Sequence, residues 1–299
     1  MTESAHTSDR PVAAAQPLPG RRSRRARVWR VLRKAPPTAW FGLIVIGLYL
    51  FVAVGAPWLA PYPESELVGG AFEPWGGQFL LGTDQLGRDM LSRLIYGARN
   101  TVGIAFLTTM LSFLLGGGLG LMAAISGGWL DQVLGRAVDV LMSIPQLIFA
   151  LVLLSILGSS IVNLIVVIAV LDSTRVFRLS RSVAQGVVVM DYVEAARLRG
   201  EKLPWIMRRE ILPNIMPPLV AEFGLRFCFV FLTISALSFL GLGIKPPTAD
   251  WGSMVRDNAA LITYGDVTPL LPAGAIALLT VAVNFVVDWF LHKTSGLRE

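Results

Sequence analysis

The chain has 299 residues, 54% of them hydrophobic and only 15% charged. Soluble domains carry about 25% charged residues, and here the apolar excess comes in long runs, so the composition excludes an ordinary soluble domain and points to an integral membrane protein. A formal charge of +6, a single cysteine (Cys228) and two histidines near opposite ends (His6 and His292) exclude an intramolecular disulfide and argue against histidine catalysis or a His-rich metal site.

Residues 1–38 form a basic N-terminal segment whose arginines crowd "RRSRRARVWRVLRK" at 21–34. That run reads as a flank held in the cytoplasm, with attraction to anionic lipid added. No basic, aromatic-interleaved domain follows it, so nucleic acid is not an expected partner. The apolar run 39–60 is the first predicted span, about 33 Å as a helix against a hydrocarbon core of about 30 Å.

Residues 61–100 read as an extracytoplasmic loop, rich in Pro and Gly at first and then amphipathic. Leu91, Leu94, Ile95 and Ala98 share one helical face, with Arg88, Asp89 and Arg93 away from it. Thr83 or Asp84 is the expected cap. The helix is expected to lie on the outer membrane surface and turn into the second span.

Five further spans are predicted at 101–125, 138–157, 160–177, 217–243 and 269–291. Gly116 and Gly120 in the second form a GxxxG pair, which lets another helix approach closely. "LGSS" at 157–160 is a tight turn between the third and fourth. "DSTRVFRLSR" at 172–181 carries the fourth helix out into water.

With the N-terminus inside, the cytoplasmic segments hold the nine basic residues before the first span, Arg136, the eight between 175 and 209, Lys293 and Arg298. The opposite side holds Arg88, Arg93, Arg99, Lys245 and Arg256. This asymmetry predicts an all-α integral membrane protein with six transmembrane helices and both termini in the cytoplasm, including the tail 292–299.

Two polar pairs fall within predicted spans. Glu222 and Arg226, and Asn284 and Asp288, are each spaced i, i+4, on one helical face. Charges within a span are costly and face protein or water, so a structural pair near the cytoplasmic interface and a gate or pathway element both fit. No G-x-x-x-x-G-K-[ST], H-E-x-x-H or G-x-S-x-G occurs. The chain is not expected to be an enzyme or to bind a metal, and active transport would need energy from a partner chain or an ion gradient.

The cytoplasmic segment "DYVEAARLRGEKLPWIMRREILPN" at 191–214 is the polar exception. Its nine charges would cost on the order of 20–30 kcal/mol in a bilayer centre at about 2.5–3.5 kcal/mol each, so it is not embedded. Four acidic residues nearly balance five basic ones, unlike a lipid-binding helix. A helix over about 187–199, a C-terminal cap at Gly200, Pro204 in the first turn of a second helix and a stop or kink at Pro213 are predicted. Leu203, Met207 and Ile211 are expected to face inward. The adjacent alanines give a low-profile helix suited to docking in a groove of a cytosolic partner.

Glu194-Ala195-Ala196, three residues, Gly200, eleven residues and Leu212-Pro213 resemble the EAA loop of binding-protein-dependent ABC importer permeases. "FLLGTDQLGRDMLSRLIYGAR" resembles the signature between the first two spans of the C-type subunits of dipeptide, oligopeptide and nickel importers. "VDVLMSIPQLIFALVL" resembles their third span, and "LSFLGLGIKPPTADWGSMV" their fifth span and the following loop. The chain departs from the pattern at Glu201, where a small residue is common, at Glu210, and at Asp172, a position often aromatic.

The resemblance implies the type I ABC importer permease fold, with a five-helix core over 101–291 that includes the EAA loop at 182–216. It implies a bacterial or archaeal plasma membrane location. The partners it implies are a second, B-type permease, two ABC ATPase subunits that hold the ATP and Mg, and an extracytoplasmic solute-binding protein. It assigns ATPase coupling to Glu194, Ala195, Ala196, Gly200, Leu212 and Pro213, with no cofactor in this chain and no substrate-contacting residue identified. Peptides are the expected solute, with nickel, glutathione-like or glycoside solutes as alternatives. A self-sufficient secondary transporter would need internal repeats and midplane ionisable residues.

Overall fold

A computed structural model describes residues 35–294; the basic run 21–34 and the end of the tail, 295–299, lie outside the described residues. Hydrocarbon offers no partner for a backbone N–H or C=O, so an apolar run must close its own hydrogen bonds as a helix. The regular elements among the described residues are helical throughout. They are α1 (Pro37–Leu59), α2 (Met90–Ser126), α3 (Gly128–Met142), α4 (Gln146–Leu157), α5 (Ile161–Val188), α6 (Asp191–Leu198) and α7 (Leu203–Ile206). A π turn (Met207–Ile211) joins α7 to α8 (Leu212–Phe239); α9 (Trp251–Asn258), a 3-10 turn (Ala259–Tyr264) and α10 (Leu270–Thr294) complete the order. Among the described residues, four helical runs are long and apolar enough to cross a membrane: α1, α2, the run 203–239 and α10. The pair α3–α4 adds a fifth if its two parts count as one broken span.

Three expectations are corrected. The third span is not one helix over 138–157, because α3 and α4 meet at 87°. Pro145 lacks an N–H and disfavours helical geometry at Ile144, so the chain turns at Ser143–Pro145. The helix before the second span is not a separate surface helix. It is the first part of α2, which runs unbroken from Met90 and is capped by Asp89, whose carboxylate accepts from Ser92 N. Thr83 and Asp84 instead shape the preceding turn: Thr83 Oγ1 donates to Gly70 O, and Asp84 accepts from Leu86 N and Arg88 N.

The face expected to meet water is also the buried one. Arg88, Asp89 and Arg93 are each under 5% exposed. Arg88 Nη2 lies 2.7 Å from Asp84 Oδ2, and Arg93 Nη1 donates to Glu64 O at 2.9 Å and Pro247 O at 3.3 Å. Asn100 Nδ2 donates to Glu64 Oε2 and Ala249 O. Asp250 caps α9 through Ser253 N and accepts from Thr101 Oγ1. Burial pushes the Asp250 carboxyl above its usual range, opposed by those hydrogen bonds. The loops 61–89 and 245–250 therefore fold over the start of α2 and pair its charges, which an amphipathicity argument from α2 alone does not anticipate.

The GxxxG expectation is met in a specific place. A Cβ on Gly116 would collide with the Ser173 carbonyl oxygen, and one on Gly120 would lie 2.6 Å from the Phe177 carbonyl oxygen. These glycines let α2 and α5 approach backbone to backbone. Gly116→Leu is expected to destabilise the chain by about 1–3 kcal/mol or more through overpacking. A lowered thermal transition in detergent is the readout, with Gly118→Leu, which faces open space, as the unaffected control.

Two apolar cores result. The larger joins α2, α4, α5, α8, α9 and α10 around Phe231 and Trp251. The smaller gathers Leu121 and Ile125 at the end of α2, Ala184 of α5, Val193 and Ala196 of α6, and Ile206, Ile211, Ile215 and Leu219. It supports the polar segment described next.

Candidate coupling site

Residues 189–202 need few long-range contacts to adopt their shape. α5 ends at Val188, and Asp191 and Glu194 then occupy the first turn of α6 while Arg197 occupies the last. Those signs suit the helix dipole. Gly200 has φ 79°, a left-handed geometry that costs a side chain about 1–2 kcal/mol. Its N–H donates to Arg197 O, and Glu201 N donates to Ala196 O, the paired bonds of a Schellman cap. Pro204 stands in the first turn of α7. The helix–cap–helix expectation is met.

The inward register differs from the expected one. Leu203 is 49% exposed, whereas Ile206, Ile211 and Ile215 are buried. The cause is the π turn: Leu212 N donates to Met207 O, five residues back. That wider turn spans residue spacings of five and then four, so Ile206, Ile211 and Ile215 align; Ile211 is inward as expected and Met207 packs at the edge of the same core, while Leu203 is displaced to the surface. Pro213 does not stop the helix, because helical geometry continues from the π turn into α8; the irregularity expected there as a stop or kink is that π turn, which immediately precedes the proline.

α6 is two-sided. Val193 and Ala196 are fully buried in the smaller core, while Glu194, Ala195 and Arg197 are exposed and Leu198 is 83% exposed. Tyr192, Val189 and Met190 extend the exposed apolar surface. Among the positions assigned to coupling by resemblance, Glu194, Ala195 and Gly200 lie at the surface, Ala196 points into the core, Leu212 is half-buried and Pro213 is exposed. The structure thus brings the EAA residues onto one helix but divides them between an outward and an inward face. Leu198 and Val193 carried no signal in the sequence beyond their spacing on a short helix.

The two polar pairs fare differently. Arg226 Nε lies 2.8 Å from Glu222 Oε1 on its own helix and Arg226 Nη1 lies 3.7 Å from Asp172 Oδ1 on α5. Ser112 Oγ of α2 donates to Asp172 Oδ2 at 3.2 Å. The guanidinium also sits 4.6 Å from the Phe229 ring centroid. Arg226 lies midway along the 28-residue α8, not near its beginning, because the helix starts five residues before the expected span. Asn284 and Asp288 do not form a comparable pair: Asn284 Nδ2 donates to Thr280 O, and Asp288 is exposed. Sequence reasoning missed Asp172 as a member of the cluster. Asp172 opens the stretch 172–181 that is expected to run into water; instead Asp172, Thr174, Val176, Phe177 and Ser180 are buried, and the partners of Asp172 lie 60 and 54 positions away in sequence.

Comparison with known proteins agrees with this architecture. Residues 116–293 match the family described as binding-protein-dependent transport system inner membrane component. Residues 23–71 match the N-terminal TM domain of oligopeptide transport permease C. The chain is 37% identical over 265 residues to the di/tripeptide transport system permease protein DppC of Pseudomonas aeruginosa, covering 86% of this chain and 85% of that protein. It is 33% identical over 268 residues to the dipeptide transport system permease protein DppC of Haemophilus influenzae, covering 87% and 88%. A chain in an inward-facing structure of the MetNI methionine ABC transporter aligns with a TM-score of 0.55 at 19% identity, over 67% of this chain and 94% of that one. A chain of an amino acid ABC transporter solved with histidines aligns at 0.50 and 20%, over 68% and 94%. These two likenesses concern the fold. The multi-pass helical architecture, the EAA segment and the matches over most of the length lead to one assignment: the chain belongs to the binding-protein-dependent transport system inner membrane components, as a non-catalytic permease subunit of an ABC transporter.

Proposed function

We propose that the chain is one of two permease subunits in an ATP-driven importer of di- and oligopeptides, and that α6 is where it takes up mechanical work from a partner ATPase. The relatives named for dipeptide and di/tripeptide transport support the solute class. The two-sided α6 carries the coupling reading. Its outer face offers Glu194, Ala195 and Leu198, and its inner face is set through Val193 and Ala196 into a core shared with α2, α5 and α8. Close-packed interiors transmit displacement instead of absorbing it. A push on the outer face therefore moves the ends of three helices together.

In the same reading the chain crosses the plasma membrane six times, with α3–α4 as one broken crossing and α5 as another, and both termini lie in the cytoplasm. A second, B-type permease completes the pathway. Two ATPase subunits hold the ATP and Mg, and a solute-binding protein delivers the peptide from outside.

The deciding experiment is uptake of a labelled dipeptide into vesicles holding the chain with its co-expressed neighbours. ATP-dependent uptake that requires the binding protein is expected. Uptake by the isolated chain without ATP would overturn the reading. A narrower prediction concerns Gly200. No heavy atom lies within 4 Å of a Cβ placed there, so Gly200→Val acts through backbone strain of about 1–3 kcal/mol. It is expected to leave membrane insertion intact and to lower transport per ATP hydrolysed, while Gly200→Asn, which tolerates left-handed geometry, stays near wild type.

A further inference from the structure

Between α1, α2, α8 and α10 lies a groove of about 720 Å³ whose walls are almost wholly apolar. Tyr49, Val102, Phe227 and Val287 each contribute one side of it, and Arg99 stands among its lining residues. Arg99 is exposed and has no ion-pair or hydrogen-bond partner among the described residues. It is also the last charged residue before an uncharged stretch that runs to the end of α2 at Ser126. That stretch is about 39 Å long as a helix, enough to cross a hydrocarbon core of about 30 Å. Arg99 therefore sits at headgroup level, at the end where α1 finishes and α2 begins, with an oily groove running inward from it.

A cation at the mouth of an apolar slot in a membrane protein matches one class of molecule. We infer that the groove is a phospholipid site: one acyl chain lies along Val102, Gly103 and Phe227, and the headgroup phosphate pairs with Arg99. Charge complementarity favours this occupant, since the guanidinium offers a planar fork of donors to a phosphate.

Gly103 gives the test its main variant. It lines the groove, and a Cβ there would meet no heavy atom within 4 Å, so a larger side chain can enter the slot without disturbing the packing. The full chain, released from vesicles of phosphatidylglycerol and phosphatidylethanolamine, is examined by native mass spectrometry for retained phospholipid. Wild type is expected to hold one phospholipid through mild activation. Arg99→Gln is expected to lower its occupancy about tenfold, equal to about 1.4 kcal/mol, and Gly103→Phe to empty the site with an unchanged thermal transition. Equal retention by wild type and both variants overturns the proposal. So does a Gly103→Phe chain that keeps its lipid but no longer assembles with a co-expressed second permease, since the groove would then seat a helix of that partner.

Discussion

Arg226→Ala is expected to be among the most damaging single substitutions in the chain, costing about 3–5 kcal/mol of stability. The reason is what it leaves behind. Asp172 has a side chain only 1% exposed, with Arg226 as its ion-pair partner and Ser112 as its hydrogen-bond donor. Removing the guanidinium strands that carboxylate in the packing of α2, α5 and α8, and leaves Glu222 without its partner on α8. Replacing both ends is a different experiment. The double variant Asp172→Asn with Arg226→Met keeps an acceptor for Ser112 and leaves Glu222, whose side chain is 21% exposed, as the one remaining charge of the cluster, so it is expected to recover the part of the loss that comes from the stranded Asp172, because well-packed neutral residues commonly equal or exceed a buried ion pair. Thermal unfolding of the purified chain in detergent, followed by tryptophan fluorescence, distinguishes the two. If Arg226→Ala melts with wild type, water reaches Asp172 and the cluster is not a buried clamp.

Leu198→Glu is expected to do the opposite: spare the fold and disable the assembly. At 83% exposure the side chain contributes little to the chain's own packing, so the melting temperature should not move. An apolar side chain held out from the end of a short, rigid helix fits an anchor for a partner pocket. Loss of such an anchor costs about 2 kcal/mol, or roughly thirtyfold in affinity. The measurement is the dissociation constant for the partner ATPase, with uptake as a second readout. Glu194→Lys, which reverses a charge on the same outer face, is expected to act in the same direction. Val193→Glu supplies the contrast, because Val193 is fully buried and its loss should show first as misfolding. An unchanged affinity in Leu198→Glu would remove the outer face of α6 from the docking surface.

The contrast between these two sites reflects how far each is determined locally. The cap at Gly200, the prolines at 204 and 213 and the close approach of Gly116 and Gly120 are written in residues a few positions apart. Their consequences follow from backbone sterics that hold in almost any surroundings. Four of the six expected spans coincide with long apolar helices for the same reason. Arg226 stands out in the sequence as a charge in an oily run, whereas Asp172 opens a polar stretch that reads as water-facing; their pairing needs α5 laid against α8. The pattern of α2 alone places Arg93 on a polar stripe away from its apolar face; the loops from 61–89 and 245–250 bury it.

The sequence by itself therefore determined what depends on short range and on the solvent: a helical membrane chain, the polar helix–cap–helix of 191–211 and the transporter family by its motif. The tertiary structure decided what depends on phase and on distant partners. One extra residue in the π turn at 207–211 rotates the buried face to Ile206, Ile211 and Ile215, and no local propensity announces it. The 87° turn at Pro145 splits a span that composition reads as continuous. The division of the EAA residues, Ala195 outward and Ala196 inward, depends on the angle at which α6 meets the ends of α2, α5 and α8, and a helix of eight residues cannot set that angle without the core beneath it.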